Sequence, residues 1–230
     1  MKNLFKNTEF VFGVTEYKNL PKDEGIEILL AGRSNAGKSS ALNALTENLK
    51  LARISKTPGR TTEINFFKVN ENINLLDLPG YGYAKSSKAK RKDWGPLLSE
   101  YFQNRNALAL VIIFMDIRHP LKEKDKEMIN LCKNFEVPFL PVLTKSDKLT
   151  RNKVNKTMSS VNNEILGKLA RENEPFITQW LVGVKDKEIN IEALLYRLRQ
   201  RISNRANIEL KEDKLGLYIC SLSSKTIVYK

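Results

Sequence analysis

Apolar runs of strand length alternate along this chain with stretches whose apolar residues recur at helical spacing. That alternation is the pattern of a parallel sheet flanked by helices. Residues 26–31 read as a short buried strand, and residues 40–45 after it as a helix. Residues 64–69 and 73–76 predict two strands joined by a hairpin turn at Asn70-Glu71-Asn72. Residues 108–115 are apolar throughout, which predicts a central strand buried on both faces. Residues 137–143 form another apolar stretch. The spacing over 122–135 predicts a helix with Met128, Leu131, Cys132 and Phe135 on one face. Residues 154–169 and 191–202 predict two more, the last with Ile191, Leu194, Leu195 and Leu198 inward. Beyond Ser203 the pattern weakens, and residues 215–219 and 226–229 read either as short strands or as a tail. The expected fold class is α/β, a three-layer sandwich with a mostly parallel central sheet. Residues 1–204 are expected to form one domain with a short N-terminal extension, and 205–230 a C-terminal tail.

The spaces between these elements hold the chemistry. Gly32-Arg33-Ser34-Asn35-Ala36-Gly37-Lys38-Ser39 falls on the first strand-to-helix turn, followed by Ser40. There, backbone N–H groups and the positive end of a helix dipole can face a polyphosphate. Gly32 and Gly37 let the backbone wrap closely, Lys38 would reach the β- and γ-phosphates, and the Ser39 hydroxyl would hold Mg²⁺. Asp77-Leu78-Pro79-Gly80 ends the strand at 73–76. Asp77 could bind Mg²⁺ through its water shell, and Gly80 could offer its N–H to a γ-phosphate. Alone this would be a strand ending in an ordinary Pro-Gly turn. Thr144-Lys145-Ser146-Asp147 ends the strand near 140. The Asp147 carboxylate could accept from N1 and N2 of guanine. Adenine lacks that pair of donors and would leave a buried carboxylate unpaired. The Lys145 stem could lie over the base. Three such signals at three strand ends indicate a guanine-nucleotide site. Between the first two, residues 55–62 are polar and carry a Pro-Gly turn. Thr61 there is expected to close on Mg²⁺ and the γ-phosphate as a switch.

Charge adds a partner to this picture. The 230 residues carry 39 Lys and Arg against 26 Asp and Glu, a net +13. That excess predicts attraction to a polyanion. Lys85, Lys88, Lys90, Arg91 and Lys92 cluster just after the Asp77–Gly80 motif, behind Tyr81 and Tyr83 and before Trp94. Cations neutralise phosphates and aromatic rings stack on unpaired bases, so RNA is the expected partner. The plainer reading of the cluster is a solvated helix start, with Trp94, Leu97, Leu98 and Tyr101 packing inward. No run approaches the roughly 18 apolar residues of a membrane span, and the first residues lack the apolar core of a signal peptide. Two cysteines, Cys132 and Cys220, suggest neither disulfides nor zinc, which fits a reducing cytoplasm. Nothing demands a dimer.

These motifs resemble those of the EngB (YihA, YsxC) family of bacterial ribosome-assembly GTPases, within the translation-factor-like P-loop class. The carriers are residues 32–40, Thr57-Pro58-Gly59-Arg60-Thr61, Asp77-Leu78-Pro79-Gly80-Tyr81-Gly82-Tyr83-Ala84, Asp116-Ile117-Arg118-His119-Pro120 and Thr144-Lys145-Ser146-Asp147. The resemblance spans roughly residues 10–202. It implies a P-loop GTPase fold binding GTP or GDP with Mg²⁺ held by Ser39, Thr61 and Asp77. It implies catalytic roles for Lys38, Thr61 and Gly80, and a cytoplasmic factor that matures the large ribosomal subunit and supports cell division and septation. In related GTPases an asparagine at the place of Asn35 helps hold K⁺ against the phosphates. Many GTPases carry a water-positioning glutamine where this chain has Tyr81, which implies slow intrinsic hydrolysis and a partner that activates it. The last guanine-contacting loop of the family usually reads Ser-Ser or Ser-Ala. Val182, Gly183 and Val184 stand there in this chain, leaving a backbone N–H for the base but no hydroxyl. The alternative is a metabolic P-loop NTPase or nucleotide kinase. A kinase would also need an acceptor site that the sequence does not show.

Overall fold

The computed structural model describes residues 5–52, 63–81, 94–137, 139–166, 180–182, 208–213 and 216–221. Seven strands form one sheet: β1 (Glu9–Val14), β2 (Ile26–Gly32), β3 (Ile64–Lys68), β4 (Ile73–Asp77), β5 (Leu108–Asp116), β6 (Phe139–Thr144) and β7 (Trp180–Val182). Their order is β1-β3-β4-β2-β5-β6-β7. The contacts β4–β2, β2–β5, β5–β6 and β6–β7 are parallel, and β1–β3 and β3–β4 are antiparallel. The mostly parallel sheet read from the sequence is therefore present, with its antiparallel edge made by β1 and the β3–β4 hairpin. Asn70 shapes that hairpin: its side-chain oxygen accepts from the N–H of Asn72 (2.9 Å) and of Ile73 (3.0 Å).

Strand β5 is buried at every position, and β2 likewise. Alternation explains why both are apolar almost throughout, with Glu27 in β2 and the terminal Asp116 in β5 as the exceptions. Ile28 and Leu30, with Leu110, Ile112 and Phe114, pack with Ala41, Leu42 and Leu45 of α1 (Lys38–Leu45). Leu29 and Ala31, with Val111, Ile113 and Met115, pack on the other face. There they meet Tyr101 and Phe102 of α2 (Trp94–Asn104), Met128, Ile129 and Cys132 of α3 (Glu123–Asn134), and Val154, Val161 and Ile165 of α4 (Arg151–Leu166). Both faces of the sheet are covered, as a parallel sheet requires.

Several elements depart from the expectation. Strand β7 was not foreseen, and neither was β1. The latter is an edge strand with Phe10 and Val11 half exposed, tied to the sheet by stacking of Phe12 on Phe66 with centroids 5.1 Å apart. Helix α3 buries Asp125, Met128, Ile129 and Cys132, whereas Leu131 is half-buried and Phe135, at its C-cap, is 36 % exposed. The inner face is thus rotated from the one expected, because the Asp125 carboxylate has buried partners that offset its burial. Helix α4 begins three residues before the predicted 154. Cys132 is the small core residue expected, and burial pushes its thiol up to about 12. In the tail, β8 (Ile208–Asp213) and β9 (Gly216–Ser221) pair as an antiparallel hairpin of their own. The predicted helix at 191–202 and strand at 226–229 lie outside the described residues.

Candidate nucleotide-binding site

The turn from β2 into α1 places its motif at the carboxyl edge of the sheet. Gly37 caps α1 with φ of 89°, and Asn35 also lies in the left-handed region at 65°. Glycine takes that conformation without steric cost. Such turns gather backbone N–H groups into an anion-binding concavity, and the first N–H groups of a helix have no acceptor within it. Lys38 opens α1 and Ser39, half-buried, follows it.

Strand β4 runs parallel to β2, so its C-terminal Asp77 arrives beside this turn. The Lys38 ammonium pairs with the Asp77 carboxylate, and both residues are buried. Burial raises the pKa of Asp77 and outweighs the opposing pull of Lys38. A buried carboxylate of this kind gains from a second cation. Ser39 and Asp77 supply the few oxygen ligands that Mg²⁺ takes from a protein while keeping its waters. Among the described residues there is no cluster of three or more His, Cys, Asp or Glu that would hold a metal otherwise.

Gly80 follows, and only glycine fits there. A Cβ at Gly80 would stand 2.8 Å from Ser34 Cα. Arg33 and Tyr81 form a parallel bridge. The Ser34 N–H donates to the Tyr81 carbonyl (3.1 Å), and the Tyr81 N–H to the Gly32 carbonyl (3.3 Å). The Arg33 side chain turns away from this seam. Its Nε donates to Asp125 Oδ2 (3.1 Å) and its Nη2 to the His119 carbonyl (2.7 Å). Arg33 therefore contributes backbone, not charge, to the phosphate loop.

Strand β6 brings the third motif to the same edge. The Thr144 hydroxyl donates to the Ala36 carbonyl at 2.6 Å, with the Met115 carbonyl 3.2 Å away, and Thr144 lies against Gly37. Lys145 Nζ donates to the Asn35 carbonyl (2.6 Å) and to Asp116 Oδ2 (2.9 Å). Thr144 and Lys145 thus pin the loop from below. The Asp147 side chain is only 16 % exposed, although its backbone puts the residue at the surface, and it pairs with Lys148 at 3.1 Å. Val182 ends β7 in register with Thr144, so the chain leaves β7 beside the third motif. Thr61, Gly183, Val184 and the basic residues 85–92 lie outside the described residues.

Asp116 had no chemical role in the sequence reading. It ends β5 and accepts from the Arg118 backbone N–H (3.0 Å), Arg118 Nε (2.9 Å), Arg118 Nη2 (2.6 Å) and Lys145. Burial works against its charge, but the Arg118 and Lys145 hydrogen bonds prevail and hold its carboxyl below the usual carboxylate range. It anchors Lys145, and through it the loop. An aspartate ending the most apolar strand was the available signal.

A phosphate loop at a strand-to-helix turn, an acid ending the adjacent strand and a third motif pinned beneath the loop define a P-loop nucleotide-binding protein. A family model described as "50S ribosome-binding GTPase" matches residues 27–145. "Probable GTP-binding protein EngB" of Haemophilus ducreyi is 51% identical over 162 residues, 70% of this chain and 77% of that protein. The protein so described from Coxiella burnetii (strain RSA 331 / Henzerling II) is 48% identical over 161 residues, 70% of this chain and 78% of its own. The chain belongs to the EngB family of GTP-binding proteins, and it is a GTPase. A solved structure described as a probable GTP-binding protein engB has the same fold, with TM-score 0.60 and 21% identity over 78% of this chain and 100% of that one. A second family model, described as class-II glutamine amidotransferases, matches residues 144–230, less than half of the chain. Family membership decides against the nucleotide-kinase alternative. Among the described residues no helix is long and apolar enough to cross a membrane.

Proposed function

We propose that this chain is a cytoplasmic, GTP-switched factor in assembly of the large ribosomal subunit, and that it supports cell division and septation through that role. The observation that carries the reading is the convergence of Lys38, Asp77, Gly80 and the Thr144–Lys145 clamp on one loop, in a chain of net +13. The description of the matching family as ribosome-binding supports the choice of target.

The roles follow from position. Lys38 and the loop N–H groups take the phosphates, with the Arg33, Ser34, Asn35, Ala36 and Ser40 backbone around them. Ser39, Asp77 and Thr61 hold Mg²⁺, whose charge neutralises phosphoryl oxygens as the bond breaks. Gly80 and Thr61 sense the γ-phosphate. Asp147 selects guanine, with Lys145 beneath it and the 182–184 backbone on the far side. The Tyr81 hydroxyl is buried, so no side chain just after Gly80 places water. Intrinsic hydrolysis is therefore slow and is raised by a partner. Asn35, at the exposed lip of the loop, would hold K⁺ against the phosphates. Turnover is expected to be several-fold faster in potassium than in sodium buffer, and equal rates in steady-state phosphate release would remove that ion from the mechanism.

Lys85, Lys88, Lys90, Arg91 and Lys92 would meet ribosomal RNA, with the protein acting as a monomer. The test is sedimentation with purified large subunits, with GDP or a non-hydrolysable GTP analogue, at two salt concentrations. Analogue-dependent co-sedimentation that weakens steeply with salt is expected, since each neutralised phosphate adds close to one unit of salt slope. Binding that is equal or absent in both nucleotide states would reject the reading.

A further inference from the structure

Tyr81 directly follows the Asp77–Gly80 motif, where a second switch would begin, and its side chain is sunk among residues of two other elements. Asp125, in the first turn of α3, is fully buried beside it. One carboxylate oxygen, Oδ2, accepts from the Lys122 N–H (3.1 Å) and from Arg33 Nε (3.1 Å). The other, Oδ1, is buried without a hydrogen-bond partner, and so is the Tyr81 hydroxyl. The two groups nevertheless act on each other. Burial first and the Asp125 charge second push the Tyr81 phenol upward, and Tyr81 in turn helps to hold down an Asp125 carboxyl that burial raises. A buried donor and a buried acceptor thus lie near enough to act on each other, and neither is hydrogen-bonded. Buried polar groups are rarely left unpaired, and such a pair gains by closing.

The backbone tells what closure would fix. Tyr81 is stitched to Gly32 and Ser34 by two hydrogen bonds, and Gly80 is pressed against Ser34. Holding the Tyr81 ring therefore sets where the Gly80 N–H stands over the phosphate loop. A triphosphate uses that N–H, whereas a diphosphate does not. We infer that Tyr81 and Asp125 are positioning residues that form a latch. The Tyr81 hydroxyl donates to Asp125 Oδ1 while Arg33 holds Asp125 from the loop side, and the root of the second switch is thereby kept competent for the γ-phosphate. The inference rests on the GTP-switch reading above.

Tyr81→Phe removes the oxygen and keeps the ring. Affinities for GDP and for a non-hydrolysable GTP analogue would be measured by calorimetry on the full chain, for wild type, Tyr81→Phe, Asp125→Asn and the double variant. Tyr81→Phe is expected to bind GDP as wild type does and the analogue about five-fold more weakly, the effect of one ordinary hydrogen bond. The double variant is expected to lose no more than Asp125→Asn alone, because the two share one interaction. An unchanged analogue-to-GDP ratio overturns the latch. So does an equal loss for both nucleotides, or a lowered melting temperature alone, since those are what a structural role produces. Should Asp125→Asn not fold, the Tyr81→Phe ratio decides. Wild-type protein that binds neither nucleotide would remove the GTP reading itself, and the latch with it.

Discussion

Lys38→Ala is expected to lower affinity for GTP and GDP by about 100-fold or more, the loss of two charge-assisted hydrogen bonds to phosphate. Titration of the variant with a fluorescent guanine nucleotide would measure it, and a loss below ten-fold would show that Lys38 does not meet the phosphates. A second consequence comes from the structure alone. Lys38 is the cation beside the buried Asp77, whose folded-state pKa is already raised by burial. Without Lys38 that pKa rises further. A carboxyl with a raised folded-state value binds more protons in the folded than in the unfolded state, so stability falls as pH rises through the window above its ordinary value. Denaturant melts of Lys38→Ala should therefore lose stability, as pH rises above the ordinary carboxylate range, more steeply than those of wild type. Parallel pH profiles would contradict the pairing.

Glu27→Ala should destabilise the fold by about 3–5 kcal/mol, the usual cost of removing one partner of a buried pair. Glu27 is fully buried near the start of β2. Arg105 reaches it with Nε (3.0 Å) and Nη2 (2.6 Å), and the Tyr101 hydroxyl donates to the same carboxylate. Burial opposes the Arg105 charge, yet its bonds to Glu27 keep its pKa above the ordinary value, and burial beside Glu27 raises that of Tyr101. Arg105 also donates to the carbonyls of Pro21 (2.8 Å) and Lys22 (3.2 Å), tying down the chain before β2. With Glu27 gone, a phenol loses its acceptor, and a guanidinium only 4% exposed loses its buried carboxylate and keeps only Asp23, 3.6 Å away, and two carbonyls. At roughly 2–4 °C per kcal/mol for a chain of this size, the melting temperature should drop by about 6–20 °C. Replacing Glu27, Arg105 and Tyr101 together by Leu, Met and Phe should cost much less, because no charge is then left buried alone. Thermal melts of the two variants separate these cases. A Glu27→Ala shift under about 2 °C would show that the network carries no such weight. This cluster lies at the end of β2 away from the phosphate loop, so nucleotide affinity well below the melting temperature should be unchanged.

What the sequence determined is local or periodic. Strands β2 and β5 announced their burial because both faces of a covered sheet demand apolar residues at nearly every position. The three nucleotide motifs could be placed at strand ends because a glycine-bearing turn or an acidic tetrapeptide is contiguous in the chain, and parallel strands deliver their carboxyl ends to one edge. The acidic tetrapeptide named the base, and family-specific runs then named the family. Tertiary structure decided what depends on partners distant in sequence. Arg33 and Asp125 are 92 positions apart, and Lys145 and Asn35 are 110 apart. No spacing rule reports that Arg33 turns its charge away from the phosphates, or that Lys145 grips the loop by a carbonyl. Helix α3 was set one step off its apolar stripe because a carboxylate can be buried where a guanidinium and a backbone N–H meet it. Strand β1 escaped notice because an edge strand is half exposed, and its pairing with β3, 50 or more residues on, leaves no periodic trace.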